Sequence, residues 1–416
     1  MSDVYIGDTY SISSIGFGMD EIFENLQSGN SPLKHPDSIL ERSKRNDVPG
    51  KISEDKLDLF QFKNKVISNG PIEARYNYYA TSKLLENSDL KKALEGRKTG
   101  LFIGTMNNLY GAIGLRNGYR VCADKNLEYD PDHFIKMIGT GFSYVHPMIP
   151  VYKIPNNVIA NIALDFNLSG PNANYFGEDS SAVAIQDAHF QISNDLLDKS
   201  LVSSSNFLFL NFLDFLLIEA VASFIPNPLF NPESEAHFFV SEWAFSGVFG
   251  KKDFFQKNNL SIQAKLLATH QGSYIDKYYK RRVPVDYCKQ IIDKTLSNCS
   301  LKISDLDLII VDNLDQEKAP ISIFKDLMKK ENVQIPILTP NLITGHSICT
   351  NASSQLDIAL KILKEQKVFS SYLDKNHCKG LFTSENKQMK IKRIGIFNQS
   401  LNNTAQMQII EKFEDK

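Results

Sequence analysis

The spacing of hydrophobic residues changes along the chain between the two-residue period of strands and the three-to-four-residue period of helices. In the first half this pattern predicts strands over residues 4–14 and 99–104, and helices over 19–27, 77–95 and 155–166. Gly96 follows the second of these helices directly, as is typical of a helix C-terminus. A polar stretch that contains three prolines, residues 28–60, predicts a surface loop.

The second half of the chain begins near residue 246 and repeats the alternation of strand and helix. The pattern predicts strands over 306–311, 335–339, 391–397 and 405–411, and helices over 321–331 and 352–365. Alternation of this kind favours mixed, largely parallel sheets covered by helices. The 416 residues therefore fit either two ordinary domains or one duplicated α/β unit, divided into residues 1–245 and 246–416. The two halves match only in the order of their elements.

Charge and hydropathy narrow the class of protein. The 46 basic and 48 acidic residues give a net charge of −2, and such a balance does not favour nucleic acid as a partner. The most apolar run, residues 207–225, contains Asn211, Asp214 and Glu219. This run is more typical of a buried strand leading into a helix than of a membrane span. The N-terminal residues lack the basic start and apolar core of a signal peptide, so we expect no secretion signal.

The cysteines are odd in number and widely spaced. An unpaired pattern of this kind predicts reduced thiols and a cytoplasmic protein. No CxxC or HxxxH pattern points to a metal, and we expect neither a metal nor a cofactor. The five cysteines are Cys122, Cys288, Cys299, Cys349 and Cys378.

The segment 170–183, GPNANYFGEDSSAV, carries the strongest local signal. A short strand, a bend at Gly177 and the start of a helix form the geometry that holds a nucleophile in the field of a helix dipole. The residue at the tip is Asp179, which the helix N-terminus should stabilise as an anion. A carboxylate is a poor attacking group for a thioester. Asp179 could equally be an ordinary helix N-cap, since aspartate is among the best capping residues.

This turn resembles the nucleophile turn of the β-ketoacyl synthases, in which Gly-Pro is followed, at the spacing of Asp179, by the acyl-accepting cysteine. It resembles still more closely the chain length factors, the cysteine-less partner subunits of type II polyketide synthases. Four further segments fall in the order of this family: 100–111, 305–315, 337–363 and 395–410. The resemblance covers essentially the whole chain. It implies a thiolase-like α/β fold, a duplicated five-layer αβαβα arrangement of two mixed sheets.

The departures from the family pattern bear directly on function. The resemblance places the first catalytic histidine at or near Asp312 and the lysine at Asn341, while the second histidine is retained as His346. The glycine-rich gating loop is replaced by residues 398–404. A site without a thiol and with one of two histidines cannot run Claisen condensation by the family's route. Asp312 could instead start a turn, and His346 could be a satisfied buried histidine.

The resemblance also implies a set of tunnel residues. In chain length factors, bulky side chains on the helix after the glycine-rich strand close the end of the polyketide tunnel. Carried over position by position, these residues are Tyr110, Ile113 and Asn117. Their i, i+3, i+7 spacing places them on one helix face, although a core-facing stripe has the same period.

The sequence thus predicts a non-condensing chain length factor that forms a heterodimer with an active, cysteine-bearing ketosynthase. The expected contact is the strand at 172–178, and the shared tunnel would receive a phosphopantetheine-bound chain from an acyl carrier protein. The basic cluster 277–282 could dock that carrier protein or be a solvated helix face. Two alternatives stay open: a stand-alone enzyme that decarboxylates malonyl thioesters with His346 and a carboxylate, and a degenerate homodimer with a binding role.

Overall fold

The structure, a computed structural model, describes residues 2–29, 50–62, 65–68, 70–106, 156–207, 241–274, 283–312, 319–370, 386–400 and 404–414. The three predicted tunnel residues, Tyr110, Ile113 and Asn117, lie outside the described residues, as does the basic cluster 277–282.

The first half of the chain forms a mixed unit of five long strands and one short one. The strands are β1 (Val4–Ser13), β2 (Gly16–Phe17), β3 (Thr99–Thr105), β4 (Asn172–Phe176), β5 (Lys199–Ser205) and β6 (Trp243–Gly250). Their spatial order is β4-β3-β5-β6-β1, with β2 paired to β1. Strands β4, β3 and β5 are parallel, whereas β6 runs antiparallel to both β5 and β1. β4 therefore forms the outer edge of this unit.

The second half repeats this order. Its strands are β7 (Ala264–Ser273), β8 (Leu308–Val311), β9 (Ile337–Leu338), β12 (Arg393–Gln399) and β13 (Thr404–Lys412), and a separate small sheet pairs β10 (Lys367–Val368) with β11 (Lys387–Gln388). The spatial order β9-β8-β12-β13-β7 matches the first unit strand for strand. Here too the first three strands are parallel and the fourth is antiparallel to its neighbours. The alternation seen in sequence thus corresponds to a repeated topology.

The two units share one continuous sheet of 11 strands. β1 and β7 join them through three antiparallel residue pairs, which match Val4–Ile6 with Ala264–Leu266. The two sheets expected from the sequence are therefore hydrogen-bonded edge to edge. The predicted boundary at 245/246 lies inside β6, which pairs with first-unit strands on both sides. The division into 1–245 and 246–416 stays a prediction.

Twelve α-helices fall within the described part of the chain. They are α1 (Met19–Ser28), α2 (Glu54–Asp58), α3 (Lys65–Ser68), α4 (Ile72–Leu84), α5 (Ser88–Leu94), α6 (Asn157–Asp165), α7 (Ser180–Ser193), α8 (Lys252–Lys257), α9 (Val285–Asn298), α10 (Ala319–Glu331), α11 (Asn341–Thr344) and α12 (Asn351–Glu365). None of them is long and apolar enough to cross a membrane.

Two of the sequence predictions need correction. The helix expected over 77–95 is two helices, α4 and α5, because the Asn87 side chain accepts hydrogen bonds from the backbone N–H groups of Asp89 and Leu90 and so starts a new helix. The described end of the expected polar loop 28–60 contains α2 and two fully buried side chains, Ile52 and Leu57. Two apolar residues are enough to fix this segment against the core.

Helices α7 and α12 form the centre of the molecule. Both contribute to one hydrophobic cluster with residues of the sheet, and the two helices pack against each other. α12 is buried nearly all round, as expected of a helix enclosed by layers on both sides. Each helix begins close to the carboxyl ends of parallel strands, which is where α/β sheets place their sites.

Candidate functional site

The predicted strand, turn and helix are present around Asp179. Strand β4 ends at Phe176, Gly177 takes a φ of 117° that few other residues adopt, and α7 begins at Ser180. The turn also packs very closely on β3, because a Cβ on Gly104 would lie 2.6 Å from the backbone nitrogen of Ser181. The local sequence therefore builds the nucleophile-bearing geometry.

The surroundings of Asp179 differ from those expected from the sequence. It occupies the N-cap position of α7, yet its side chain makes no capping hydrogen bond. Gln271 Nε2 on β7 instead donates to Asp179 Oδ2 over 2.6 Å. Burial raises the pKa of the Asp179 carboxyl, and this effect exceeds the lowering by the hydrogen bonds from its own backbone N–H and from Gln271. Burial thus opposes the stabilisation of the anion expected from the helix N-terminus, and that expectation stays a prediction.

The other degenerate positions, Asp312, Asn341 and His346, come together in a buried cluster. Asp312 directly follows β8 and is fully buried. Asn341 Nδ2 donates to Asp312 Oδ1 over 2.5 Å, and His346 Nδ1 lies 3.1 Å from Asp312 Oδ2. Asn351 Nδ2 donates to the same Oδ2 and also to Asn398 Oδ1 at 3.1 Å. Asp312 and Asn341, which the family resemblance assigns to the histidine and lysine positions, are thus joined by a direct hydrogen bond.

A short segment of the second unit brings this cluster over the first unit. Residues Ile348–Thr350 form a 3-10 turn before α12 and pack against α7 and the ends of β3, β5 and β6. Gly345, with a φ of 81°, starts the bend. Ile348 has a φ of 40°, a left-handed conformation that a β-branched residue adopts only under strain. Backbone strain of this kind is typical of functional sites.

The space between the turn and the cluster is small and polar. Its volume is about 20 Å³. Ligand pockets usually measure about 300–1,000 Å³, whereas one water needs about 10–15 Å³. The described residues therefore leave no room for an acyl chain at Asp179. The cavity is lined by Glu178, Asp179, Ser181, Ala182, Gln271, Ile348, Asn351, Ala352, Asn398, Gln399, Ser400, Thr404 and Gln406.

Beneath the turn lies a second buried carboxyl group, Glu73 of α4. Within the described chain it accepts one hydrogen bond, from the backbone N–H of Met106 at 2.6 Å, and burial raises its pKa to about 8. The thiol of Cys349 lies nearby and donates to the Ser205 carbonyl at 3.2 Å. Burial, and secondarily the charge of Glu73, hold the pKa of the Cys349 thiol well above its usual value. This thiol is not poised to act as a nucleophile.

Sequence reasoning missed four members of the site: Glu73, Gln271, Asn351 and Asn398. The spacing of Glu73 and Asn77 was a signal for Glu73. The two residues are four apart, so their side chains lie on the same face of a helix that has few exposed positions. Buried polar residues on one helix face indicate a polar contact. Asn351 lies five residues after His346, inside a matched segment. Gln271 carries no local signal, because only the pairing of β7 with β13 brings it to the turn.

No group of three histidine, cysteine, aspartate or glutamate side chains suited to a metal occurs within the part of the chain that the structure describes. Cys288 and Cys349 are buried and Cys299 is half-buried, with its thiol pKa raised by burial. Cys122 and Cys378 lie outside the described residues.

Comparison with known proteins defines the fold. Residues 12–209 match the family model described as the β-ketoacyl synthase N-terminal domain. None of the curated protein sequences compared with the chain matches it. Solved structures superpose along the whole length, and the chain therefore has the thiolase-like ketosynthase fold predicted from sequence.

Three of these structures illustrate the range of the likeness. A type II polyketide synthase ketosynthase in complex with its acyl-carrier protein, AntDE:AntF, has a TM-score of 0.78 at 15% identity, covering 99% of this chain and 100% of that one. A β-ketoacyl synthase from Burkholderia phymatum STM815 gives 0.78 at 14% identity, with full coverage of both (100% and 100%). The ishigamide ketosynthase/chain length factor gives 0.78 at 12%, covering 99% and 100%.

Proposed function

We propose that this chain is a non-condensing, chain-length-factor-like subunit that pairs with a cysteine-bearing ketosynthase in a type II polyketide synthase. The observation that carries the proposal is the turn at Asp179: a carboxyl group of raised pKa, hydrogen-bonded to Gln271, stands where a synthase needs a thiol. The cavity beside it holds about 20 Å³. An acyl chain handled by such a protein must therefore be bound by a partner's thiol.

The uncovered edge of the sheet supports the pairing. Among the described strands, β4 is hydrogen-bonded only to β3, and none of its residues is fully buried. Phe176 at its end and Phe190 on α7 are 42% and 54% exposed. A groove of about 820 Å³, lined in part by Tyr175 and Phe190, runs between α7 and β7. An exposed edge strand flanked by aromatic side chains is an association surface unless a partner covers it.

Two of the superposed structures support the class of partner. One contains a ketosynthase with its acyl-carrier protein, and another is named as a ketosynthase/chain length factor. By analogy, the cognate partners of this chain are an active ketosynthase and a carrier protein that delivers a phosphopantetheine-bound chain. The cytoplasmic location expected from the sequence fits this role and stays a prediction.

The catalytic part of the proposal is tested by intact-mass measurement. The purified chain is mixed with an acyl carrier thioester or a cysteine-directed synthase inhibitor, and we expect no stoichiometric adduct. Asp179→Cys should not restore condensation, because Asp312 and Asn341 leave the thioester without histidine and lysine partners. Adduct formation on the unaltered chain, or turnover by Asp179→Cys, would overturn this part.

The assembly part is tested by co-expression with the cognate ketosynthase. We expect a stable heterodimer with an interface of about 2,000 Å² or more, the size of obligate contacts. A charged residue in the edge strand, Phe176→Lys, should weaken the complex, whereas Leu59→Lys, at an exposed apolar position outside this strand, should not. A stable monomer that light scattering finds unchanged by the synthase would contradict the proposal.

The length-control part rests on Tyr110, Ile113 and Asn117, carried over from the family. Tyr110→Ala should lengthen the product by at least one two-carbon unit, and Asn117→Phe should shorten it, because added bulk in a packed channel is resisted. Mass spectrometry of products from the reconstituted pair gives the answer. An unchanged length distribution in both variants, with the complex intact, would assign this face to core packing.

One observation favours a second candidate, a malonyl-thioester decarboxylase. His346 Nδ1 lies 3.1 Å from Asp312 Oδ2, so the retained histidine has a carboxylate beside it. Release of CO₂ from a malonyl carrier by the isolated chain, and its loss in His346→Ala, would support this candidate over the non-condensing subunit.

A further inference from the structure

The small cavity beside Asp179 lies where the two units of the fold meet. Ser181 comes from α7 of the first unit, whereas Gln271 and Asn398 come from β7 and β12 of the second. All three residues line the cavity. Each carries a side-chain atom that is shielded from solvent and has no hydrogen-bond partner among the residues that the structure describes: Ser181 Oγ, Gln271 Oε1 and Asn398 Nδ2.

Hydrogen bonds fix the orientation of the side-chain amides of Gln271 and Asn398. Gln271 Nε2 donates to Asp179 Oδ2, so its carbonyl oxygen is left as an acceptor. Asn398 Oδ1 accepts from Asn351 Nδ2, so its amino group is left as a donor. Adding the hydroxyl of Ser181, the cavity presents an acceptor, a donor and a group able to do either.

We propose that this cavity is a binding site for one buried water molecule that joins the two units. The water donates to Gln271 Oε1, accepts from Asn398 Nδ2 and completes its bonds with the Ser181 hydroxyl. The volume of about 20 Å³ fits this ligand, since one water occupies about 10–15 Å³ and needs two to four polar partners. This water site does not depend on the proposed ketosynthase partner, because its ligand is water and not an acyl group.

A crystal structure of the full chain, determined with and without pressurised xenon, tests the proposal directly. An apolar void binds xenon, whereas a polar cavity of this size holds water. We expect a density peak within hydrogen-bond distance of at least two of the three atoms, and no xenon. Xenon in the cavity, no peak, or a direct pairing of the three side chains would overturn the proposal.

Thermal unfolding of a double-mutant cycle tests it in solution. Because a shared water couples residues that have no hydrogen bond to each other, the shifts in Tm of Ser181→Ala and Asn398→Ala should be less than additive. Ser200 is the matched control, since its buried hydroxyl on β5 also lacks a protein partner but does not line the cavity. Ser200→Ala and Asn398→Ala should be additive. Additivity in both pairs would overturn the bridging role.

Discussion

The nucleophile turn and the Asp312 cluster lie at the carboxyl ends of parallel strands in the two units, yet they hold their carboxyl groups differently. Near the turn, burial raises the pKa of two carboxyl groups: Glu73, which accepts from Met106 N–H, and Asp179, which accepts from Gln271 and from its own backbone N–H. Asp312 accepts from two side-chain amides and lies beside the ring of His346. The first region thus contains carboxyl groups disfavoured as anions by burial, and the second contains a carboxyl group within a hydrogen-bonded side-chain cluster.

Under the proposed function, this difference separates a former nucleophile position from a polar cluster that supports the fold. The residues that the family resemblance assigns to the histidine and lysine positions, Asp312 and Asn341, complement each other, so we expect them to stabilise the fold. At Asp179, burial outweighs the hydrogen bonds from its own backbone N–H and from Gln271, so we expect this carboxyl to contribute little to stability. The two regions should therefore respond differently to substitution.

The largest effect is expected from Glu73→Gln as a function of pH. The folded-state pKa, about 8, exceeds the ordinary glutamate value of 4.5, so the folded protein holds a proton that the unfolded chain releases. The associated stability is present below pH 4.5 and is lost as the pH rises through 8. This difference between the two pKa values corresponds to about 5 kcal/mol at most. Gln keeps the acceptor for Met106 N–H but does not titrate.

Urea unfolding at pH 5, 7 and 9 measures this difference. The wild-type protein should lose stability relative to Glu73→Gln as the pH rises through this range. Glu331→Gln, an exposed substitution on α10, serves as the control and should follow the wild type. Parallel pH profiles for wild type and Glu73→Gln would show that Glu73 is not held neutral.

Asp312→Leu should lower the free energy of unfolding by about 4 kcal/mol, because removing one partner of a buried polar cluster leaves the others unpaired. The amides of Asn341 and Asn351 would each lose an acceptor. Asp179→Leu, the same substitution at the turn, should cost less, about 1–3 kcal/mol, because it leaves one side-chain amide, that of Gln271, without its acceptor. Equal effects at the two positions would remove the distinction between the regions.

Asp357 of α12 provides an intermediate case. Thr9 Oγ1 donates to its Oδ1 at 2.6 Å, and burial raises its pKa to about 6. The pH dependence has the same direction as for Glu73: the associated stability is present below pH 3.8 and is lost as the pH rises through 6. Asp357→Asn should remove a pH dependence of about 3 kcal/mol, smaller than at Glu73. Denaturation at pH 4 and pH 7 measures it, and a pH dependence equal to or above that of Glu73 would contradict the ranking.

Much of the architecture could be predicted from the sequence because hydrophobic period and glycine placement act locally. The strand–turn–helix around Gly177 and the alternation in both halves follow from such signals. The family resemblance implied the duplication, but the pairing of β1 with β7 could not be predicted, since it depends on contacts distant in sequence.

Only part of the candidate site was proposed from the sequence, and its energetics were not. Asp179, Asp312, Asn341 and His346 were identified from the family resemblance, and the structure brings the last three into contact. The raised pKa of Asp179 was not predicted. A helix N-terminus can be recognised from the local sequence, whereas burial depends on residues that only the fold brings near. Gln271, which orients this carboxyl, lies 92 residues away in sequence.

The smallest expected effect concerns the backbone that links the two regions. Ile348 follows His346 closely, lines the cavity beside Asp179 and has a φ of 40°. Replacing a buried isoleucine by a small residue costs about 2–5 kcal/mol, so both Ile348→Ala and Ile348→Gly should destabilise the protein. The Ile348→Gly protein should nevertheless be more stable than the Ile348→Ala protein by about 1 kcal/mol, because only glycine adopts the left-handed conformation freely.

Ile358, a buried residue inside α12, provides the matched control for this comparison. At a helical position Gly is worse than Ala by about 1 kcal/mol, so the sign of the Gly-minus-Ala difference should reverse between the two sites. Chemical denaturation of the four variants measures both differences under the same conditions. If Ala were better than Gly at Ile348 as well, the backbone between the cluster and the turn would be unstrained, and the close approach of the two regions would rest on side-chain packing alone.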